Sequence, residues 1–174
     1  YVGSVSFWHP LDMIEKSLRF FEKNIPSSKI EIVTNSSNIQ TSIKTTTVEH
    51  SMINEYYINM LALVIPGRET NGYFESLQLS INLFSTKAAE AISVGVPLVV
   101  NEDIVELAEF VKTNKCGIIF KNTASGIELI NCTTEDLQSK NFWEEITKNA
   151  YLVSNRFRFG NVEKQYLEYY KGIM

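Results

Sequence analysis

Residues 85–100 of this 174-residue chain are STKAAEAISVGVPLVV, a stretch that contains a helix, a glycine stop and a strand. Ser85 and Thr86 are typical capping residues, and the alanine-rich run after them predicts a helix over residues 86–94. Its alanines leave the helix thin, so a ligand or a neighbouring strand can approach closely. Residues 97–100 form an apolar run, and we predict a strand there.

Helix and strand alternate on both sides of this stretch. The unbroken apolar run at residues 61–65 implies helices on both faces of a sheet. We predict strands at residues 1–5, 29–34, 44–48, 61–65, 97–100 and 117–120, and helices at residues 11–21, 52–60, 86–94 and 103–113. This alternation predicts an α/β fold, with a Rossmann-like parallel sheet of about six strands and helices on both faces.

The last part of the chain changes character. Residues 133–136 resemble a helix start, residues 141–154 and 162–170 predict C-terminal helices, and no strand is expected after Phe120. Residues 66–82 show no assignable pattern, so we predict a functional loop. The length fits a single domain over residues 1–174. The start inside an apolar stretch, with no Met before it, indicates a cut through a longer polypeptide.

Composition and charge exclude several classes of protein. Sixteen Lys and Arg against 20 Asp and Glu give a net charge of −4, so no basic field attracts nucleic acid. Cys116 and Cys132 fit neither a redox nor a zinc motif, and we expect reduced, buried thiols of a cytosolic protein. No apolar run approaches the roughly 20 residues that span a bilayer. No metal-ligand cluster and no GxSxG nucleophile motif occur.

The first predicted loop, GSVSFWHP at residues 3–10, precedes a helix. Ligands of an open parallel sheet collect at the carboxyl ends of its strands, where this loop, residues 66–86 and residues 101–103 all lie. Gly3 permits close backbone approach, and His9 can donate to a phosphate. The dinucleotide fingerprint GxGxxG is absent. The alternative interpretation is a strand-ending glycine followed by a packed tryptophan.

A cation at the start of the predicted helix over residues 86–94 favours an anionic partner. Lys87 lies in the first turn, where it opposes the helix dipole and where a purely structural role would favour an acid. Glu90 lies one turn later on the same side, and a carboxylate can accept two hydrogen bonds from a vicinal diol such as a ribose. The alternative is a solvated pair of Lys87 and Glu90.

Other candidates carry weaker signals. His50 follows a predicted strand and either lines the cleft or caps a turn. Arg68 lies in the long loop and is either a binding residue or a solvated one. Arg156 and Arg158 fit an anion site, although a pair of surface side chains is the plainer interpretation.

The segment STKAAEAISVGVPLVV resembles the donor-binding motif of GT-B glycosyltransferases, specifically the large retaining family four, whose pattern is (S/P)TK-x-x-E-(A/Y)-x-x-x-G-x-PVV. Three more segments are similar to that family in the same order: YVGSVSFWHPLDMIEKSLRFF, VEHSMINEYYINMLALVIP and NEDIVELAEFVKTNKCGIIF. The resemblance runs from Tyr1 to about Phe120. It implies the C-terminal, donor-binding half of a GT-B enzyme, with the N-terminal acceptor domain absent from this chain.

The resemblance also implies roles for individual residues. Glu90 corresponds to the second glutamate of the family's E-x7-E motif and would bind the ribose hydroxyls of a nucleotide-sugar. The donor diphosphate or sugar would meet a further set of residues: Lys87, the backbone amides of Ser85 and Thr86, Gly3 and Ser4.

Two departures from the family pattern stand out. The first glutamate of E-x7-E falls on Asn82, which alters the usual contact to the transferred sugar. The phosphate-binding Arg and Lys of the family's first loop fall on Ser4 and His9, so a serine and a titratable imidazole replace two cations. A subgroup with a Trp-His loop shares this arrangement, and we therefore interpret it as variation.

The leading hypothesis is retaining, hexosyltransferase-type transfer from a nucleotide-sugar to a glycan or lipid-linked acceptor, with no metal or other cofactor. The resemblance places the catalytic group in the missing N-terminal domain, so the isolated chain should be inactive. It implies bacterial polysaccharide biosynthesis, in the cytoplasm or at the inner face of the membrane. The alternative is a non-catalytic GT-B-like binding module. A flavodoxin-like or response-regulator domain ranks last, because the first loop supplies no acid.

Overall fold

Short strands and helices alternate along most of the chain. The computed structural model describes residues 1–5, 9–36, 38–67, 85–157 and 161. Its helices are α1 (Leu11–Asn24), α2 (Ile53–Ile58), α3 (Thr86–Ser93), α4 (Val105–Asn114), α5 (Thr134–Leu137) and α6 (Lys140–Ser154). Its strands are β1 (Glu31–Val33), β2 (Lys44–Thr46), β3 (Leu63–Ile65), β4 (Leu98–Asn101), β5 (Gly117–Thr123) and β6 (Gly126–Leu129).

The strands form two hydrogen-bonded ladders. In the first, β1 pairs in parallel with β2, and Val2 forms a parallel bridge with Val33 on the other side of β1. In the second, the order is β3-β4-β5-β6, with only β6 antiparallel. The spatial order is thus residues 1–5, β1 and β2 in one ladder, and β3, β4, β5 and β6 in the other. In open α/β sheets, ligands bind outside the carboxyl ends of the strands.

Both ladders contribute to two cores, one on each face. The core on the α3 side contains strand residues of both ladders: Val2, Val33, Leu63, Ile65, Leu98 and Val100. The core on the α1 side contains the alternate residues: Tyr1, Ile32, Val64, Val99, Ile118 and Phe120. Because successive strand side chains point to opposite faces, this alternation places helices on both faces. The predicted α/β architecture is confirmed.

Helices α1 and α6 show how the helical pattern serves these cores. Helix α1 buries Ile14, Leu18 and Phe21, at spacings of four and three residues. Helix α6 contributes Trp143 to the core on the α1 side and Ala150 to the core on the α3 side. The predictions of helices at residues 11–21 and 141–154 are therefore confirmed.

The structure corrects three predicted elements. The strand expected at residues 1–5 is reduced to the Val2 bridge, and the helix expected at residues 52–60 is reduced to α2 behind a 3-10 turn at His50–Met52. The expectation of no strand after Phe120 is wrong, because β5 continues and turns back into β6. Strand β6 lies at an edge and is mostly half-buried, so it contains no apolar run that periodicity could detect.

The start of α5 and the two cysteines also bear on the sequence predictions. The predicted helix start at residues 133–136 is confirmed, because Thr133 and Asp136 form a capping box at the start of α5. The helix predicted at residues 162–170 lies outside the described residues. Both cysteines are free, but only Cys116 is buried and Cys132 is half-buried. Within the described part of the chain, no helix combines the length and the apolar character needed to cross a membrane.

Candidate functional site

A cleft of about 310 Å³ lies beside residues 2–4, at the carboxyl end of β1 and the N-terminus of α3. Five of the seven residues predicted to bind the donor line it: Gly3, Ser4, Thr86, Lys87 and Glu90. Six residues that were not predicted complete its described wall: Val2, Val33, Thr34, Asn35, Val48 and Ile53. The cleft is therefore polar where α3 enters it and apolar on the side of α2.

The Lys87 side chain lies against the first loop. The φ of Gly3, +141°, favours glycine, and a Cβ atom there would lie 2.1 Å from Lys87 Nζ, so a larger residue would displace the end of the lysine side chain. Nζ also lies 5.9 Å from the centroid of the Tyr1 ring, and the Tyr1 hydroxyl donates to the Ser4 carbonyl at 2.8 Å. Burial lowers the pKa of Lys87, while Glu90 raises it. A half-buried cation is thus held against the backbone of the first loop.

The N-terminus of α3 contributes backbone amides to the same cleft. Ser85 caps the helix, because its Oγ accepts a hydrogen bond from the Ala88 amide at 3.2 Å. The first turn contains no acidic residue. Among the described residues, the amides of Thr86 and Lys87 have no acceptor. These amides and the positive end of the helix dipole favour an anion at this point.

Glu90 faces the cleft and contacts α2. The Tyr57 hydroxyl donates to Glu90 Oε2 at 3.3 Å. Tyr57 is fully buried, and burial followed by the Glu90 charge raises the pKa of its hydroxyl well above the usual value. The tyrosine therefore remains a donor. Lys87 and Glu90 make different contacts, Lys87 with the first loop and Glu90 with α2, which the alternative of a solvated pair does not explain.

His9 lies beside Tyr1 and is not among the described residues that line the cleft. Its ring centroid is 5.8 Å from that of Tyr1, with the ring planes at 62°. Its Nδ1 is buried and has no hydrogen-bond partner among the described residues. Burial, and then the charge of Lys87, lower the pKa of His9 to about 4. The imidazole is therefore neutral at pH 7, and its contact with a phosphate stays a prediction.

The weaker candidates do not converge on this cleft. The side chain of His50, together with Arg68 and Asn82, lies outside the described residues. Residues 101–103 follow β4 but are not among the described residues that line the cleft. Arg156 donates to Asn114 Oδ1 at 3.1 Å on an exposed surface, which supports the plainer interpretation. Arg158 also lies outside the described residues.

The unpredicted residues of the cleft differ in how visible they are in the sequence. Thr34 and Asn35 directly follow β1, so the rule that ligands collect at carboxyl ends of strands would have identified them. Val48 and Ile53 are apolar, and nothing in the sequence distinguishes them from core residues. In the part of the chain that the structure describes, no group of three or more His, Cys, Asp or Glu residues could hold a metal ion.

Comparisons with known proteins leave the family open. No protein-family profile and no curated protein matches the chain. The solved structure of spinosyn forosaminyltransferase SpnP is similar to it, with 14% identity and a TM-score of 0.48 over 91% of this chain. The match covers 39% of that protein's chain. A likeness of this degree does not establish a shared activity.

Proposed function

We propose that this chain is the donor-binding domain of a glycosyltransferase and that the cleft of about 310 Å³ holds the nucleoside diphosphate part of a nucleotide-sugar. One observation carries the proposal: a half-buried cation, Lys87, and a carboxylate, Glu90, line one cleft from a helix whose first amides have no described acceptor. The volume falls in the usual range for small-molecule sites. The resemblance of residues 85–100 to the family-four motif supports the same assignment.

The described residues suggest how such a donor would be used. The α3 amides and Lys87 would stabilise the negative charge that develops on the diphosphate when its bond to the sugar breaks. Gly3 would let the phosphates approach the backbone, and Glu90 would accept hydrogen bonds from the ribose hydroxyls. The proposal includes no cofactor, because fixed donors supply the charge stabilisation.

The remaining parts of the proposal concern the whole enzyme. They include retention of configuration, a hexosyl group as the transferred sugar, and a glycan or lipid-linked acceptor. An acceptor domain elsewhere in the polypeptide would supply the catalytic group, at a cytoplasmic location. The described residues of this chain bear only on the donor.

Calorimetric titration with UDP, GDP and ADP at millimolar concentration tests the donor site. We expect at least one of these nucleotides to bind, and Glu90→Gln to weaken it by about tenfold or more, because the ribose hydroxyls lose a charged acceptor. Glu109→Gln, on the exposed face of α4, is the matched control and should leave the affinity unchanged. If none of the three nucleotides binds, or if Glu90→Gln has no effect, the proposal is wrong.

A non-catalytic binding module is the second candidate, and one observation favours it. Lys87 is the one cation among the described residues that line the cleft, and His9, beside it, has a pKa of about 4 and adds no charge at pH 7. A polypeptide that includes the acceptor domain, incubated with a panel of nucleotide-sugars, separates the two candidates. Transfer that disappears with Glu90→Gln supports the enzyme, whereas binding without transfer supports the module.

A further inference from the structure

Two adjacent tyrosines of α2 donate to two different carboxylates. The Tyr56 hydroxyl donates to Glu31 Oε2, and the Tyr57 hydroxyl donates to Glu90 Oε2 at 3.3 Å. Glu31 begins β1, whereas Glu90 lies on α3 in the wall of the cleft. One short helix thus contacts both the sheet and the proposed ribose-binding residue.

The Tyr56 contact fixes α2 to the first ladder. Besides Tyr56, Glu31 accepts hydrogen bonds from Thr46 Oγ1 and pairs with Lys44 Nζ at 2.5 Å. Burial raises the pKa of the Glu31 carboxyl, but these hydrogen bonds and the Lys44 charge outweigh it and lower the pKa to about 2. Glu31 is not among the described residues that line the cleft. This contact therefore joins α2 to the first ladder and not to the described wall of the cleft.

The Tyr57 contact has a different character. The ring of Tyr57 is fully buried in the core on the α3 side, so its hydroxyl can reach only a narrow set of positions. Among the described residues, Oε1 of Glu90 accepts no hydrogen bond. Each carboxylate oxygen offers about two lone-pair sites, so Oε2 also keeps one after it accepts from Tyr57. Both oxygens of Glu90 thus remain able to accept ligand hydroxyls.

We propose that Tyr57 is a positioning residue, which orients the Glu90 carboxylate toward the two hydroxyls of a ribose and so makes the cleft prefer ribonucleotides to 2′-deoxynucleotides. The proposal rests on the function proposed above. An unrestrained glutamate has several rotamers, and each one that turns away from the ligand lowers the affinity. A fixed donor on one oxygen removes part of that cost before the ligand arrives.

The test compares Tyr57→Phe with Tyr56→Phe, which removes the neighbouring hydroxyl of the same helix. The probes are UDP, GDP and ADP, each with its 2′-deoxy form, in calorimetric titrations of the whole chain. Tyr57→Phe keeps the buried ring, and we expect it to weaken the ribonucleotide by about 2- to 10-fold while leaving the 2′-deoxynucleotide nearly unchanged. Tyr56→Phe should lower the midpoint of urea unfolding and leave the ratio of the two affinities as in the wild type.

A double-mutant cycle tests whether Tyr57 acts through Glu90. Tyr57→Phe should have no further effect on affinity once Glu90→Gln is present. If Tyr57→Phe weakens both nucleotide forms equally, or neither, the positioning role is wrong. If Glu90→Gln itself has no effect, the proposed donor site fails. A loss with Glu90→Gln but none with Tyr57→Phe overturns only the inference about Tyr57.

Discussion

The described residues form one cleft at the carboxyl ends of the strands and another at the amino ends, and the two lie at opposite ends of α3. At the carboxyl ends, the N-terminus of α3 meets a cleft of about 310 Å³. At the amino ends of β3 and β4, the chain that follows α3 lines a cleft of about 470 Å³. This second cleft is the larger one, and its described wall is mostly apolar, with Ile58, Leu61 and Tyr151 exposed.

The two ends of α3 differ in which polar groups remain free. At the C-terminus, the amides of Val94 and Val96 donate to the Ala91 carbonyl at 3.3 and 3.0 Å, so the following chain caps the helix. At the N-terminus, the amides of Thr86 and Lys87 have no acceptor among the described residues. For a charged ligand, unpaired donors and dipole direction identify the site, whereas cleft volume does not.

The largest expected effect is on nucleotide affinity, when the lysine of one cleft or of the other is replaced. Lys87→Met should weaken nucleoside diphosphate binding by about 10- to 100-fold, because a charged hydrogen bond to a phosphate is lost. Lys148→Met, which removes an exposed cation from the wall of the other cleft, should leave the affinity unchanged. Calorimetric titration with UDP, GDP and ADP measures both. An equal loss in the two variants would mean that net charge, rather than the Lys87 position, attracts the ligand.

A glycine with positive φ in each cleft provides the second comparison. Gly3 has φ +141° and Gly95 has φ +85°, so an alanine at either position should cost about 1–3 kcal/mol of unfolding free energy. Only Gly3→Ala should also weaken the nucleotide, because the new Cβ would lie 2.1 Å from Lys87 Nζ and displace it. Urea unfolding and calorimetry on the same samples measure the two effects. A matching loss of affinity with Gly95→Ala would show that destabilisation alone explains the result.

Much of the fold was predictable because strands that are buried on both faces carry consecutive apolar residues. The apolar runs at residues 61–65 and 97–100 contain most of β3 (Leu63–Ile65) and β4 (Leu98–Asn101), all of whose residues are buried. Strand β6 was not predictable, because it is only partly buried and depends on pairing with β5. The length of the first strand was not predictable either, since residues 1–5 look like a strand locally and pair only around Val2.

The candidate site was predictable where a residue conflicts with its own local structure. Lys87 is visible in the sequence because a cation in the first helical turn opposes the helix dipole. Tyr57 is not visible, because its contact with Glu90 joins residues 33 positions apart and arises only when α2 packs near α3. The neutral state of His9 was also hidden, since burial next to Lys87 causes it.

The smallest expected effect is a pH dependence of stability that involves His9. Its pKa falls from 6.5 to about 4 on folding, so the unfolded chain binds the proton more readily. The stabilisation is therefore complete above pH 6.5 and is lost as the pH falls toward 4. In the His9→Gln variant, the midpoint of urea unfolding should depend less on pH between these two values. Glu31, whose pKa is about 2, causes a separate loss of stability at lower pH, between about 4.5 and 2. That loss should remain in the His9→Gln variant.

Lys87→Met provides the control that ties this dependence to the carboxyl-end cleft. The Lys87 charge is the second cause of the lowered pKa, after burial, so its removal should raise the pKa of His9 and narrow the pH interval over which stability is lost. Lys148→Met should leave the interval unchanged, because that lysine lines the cleft at the other end of the strands. If neither substitution changes the interval, the Lys87 charge does not lower the pKa of His9, and burial alone is the cause.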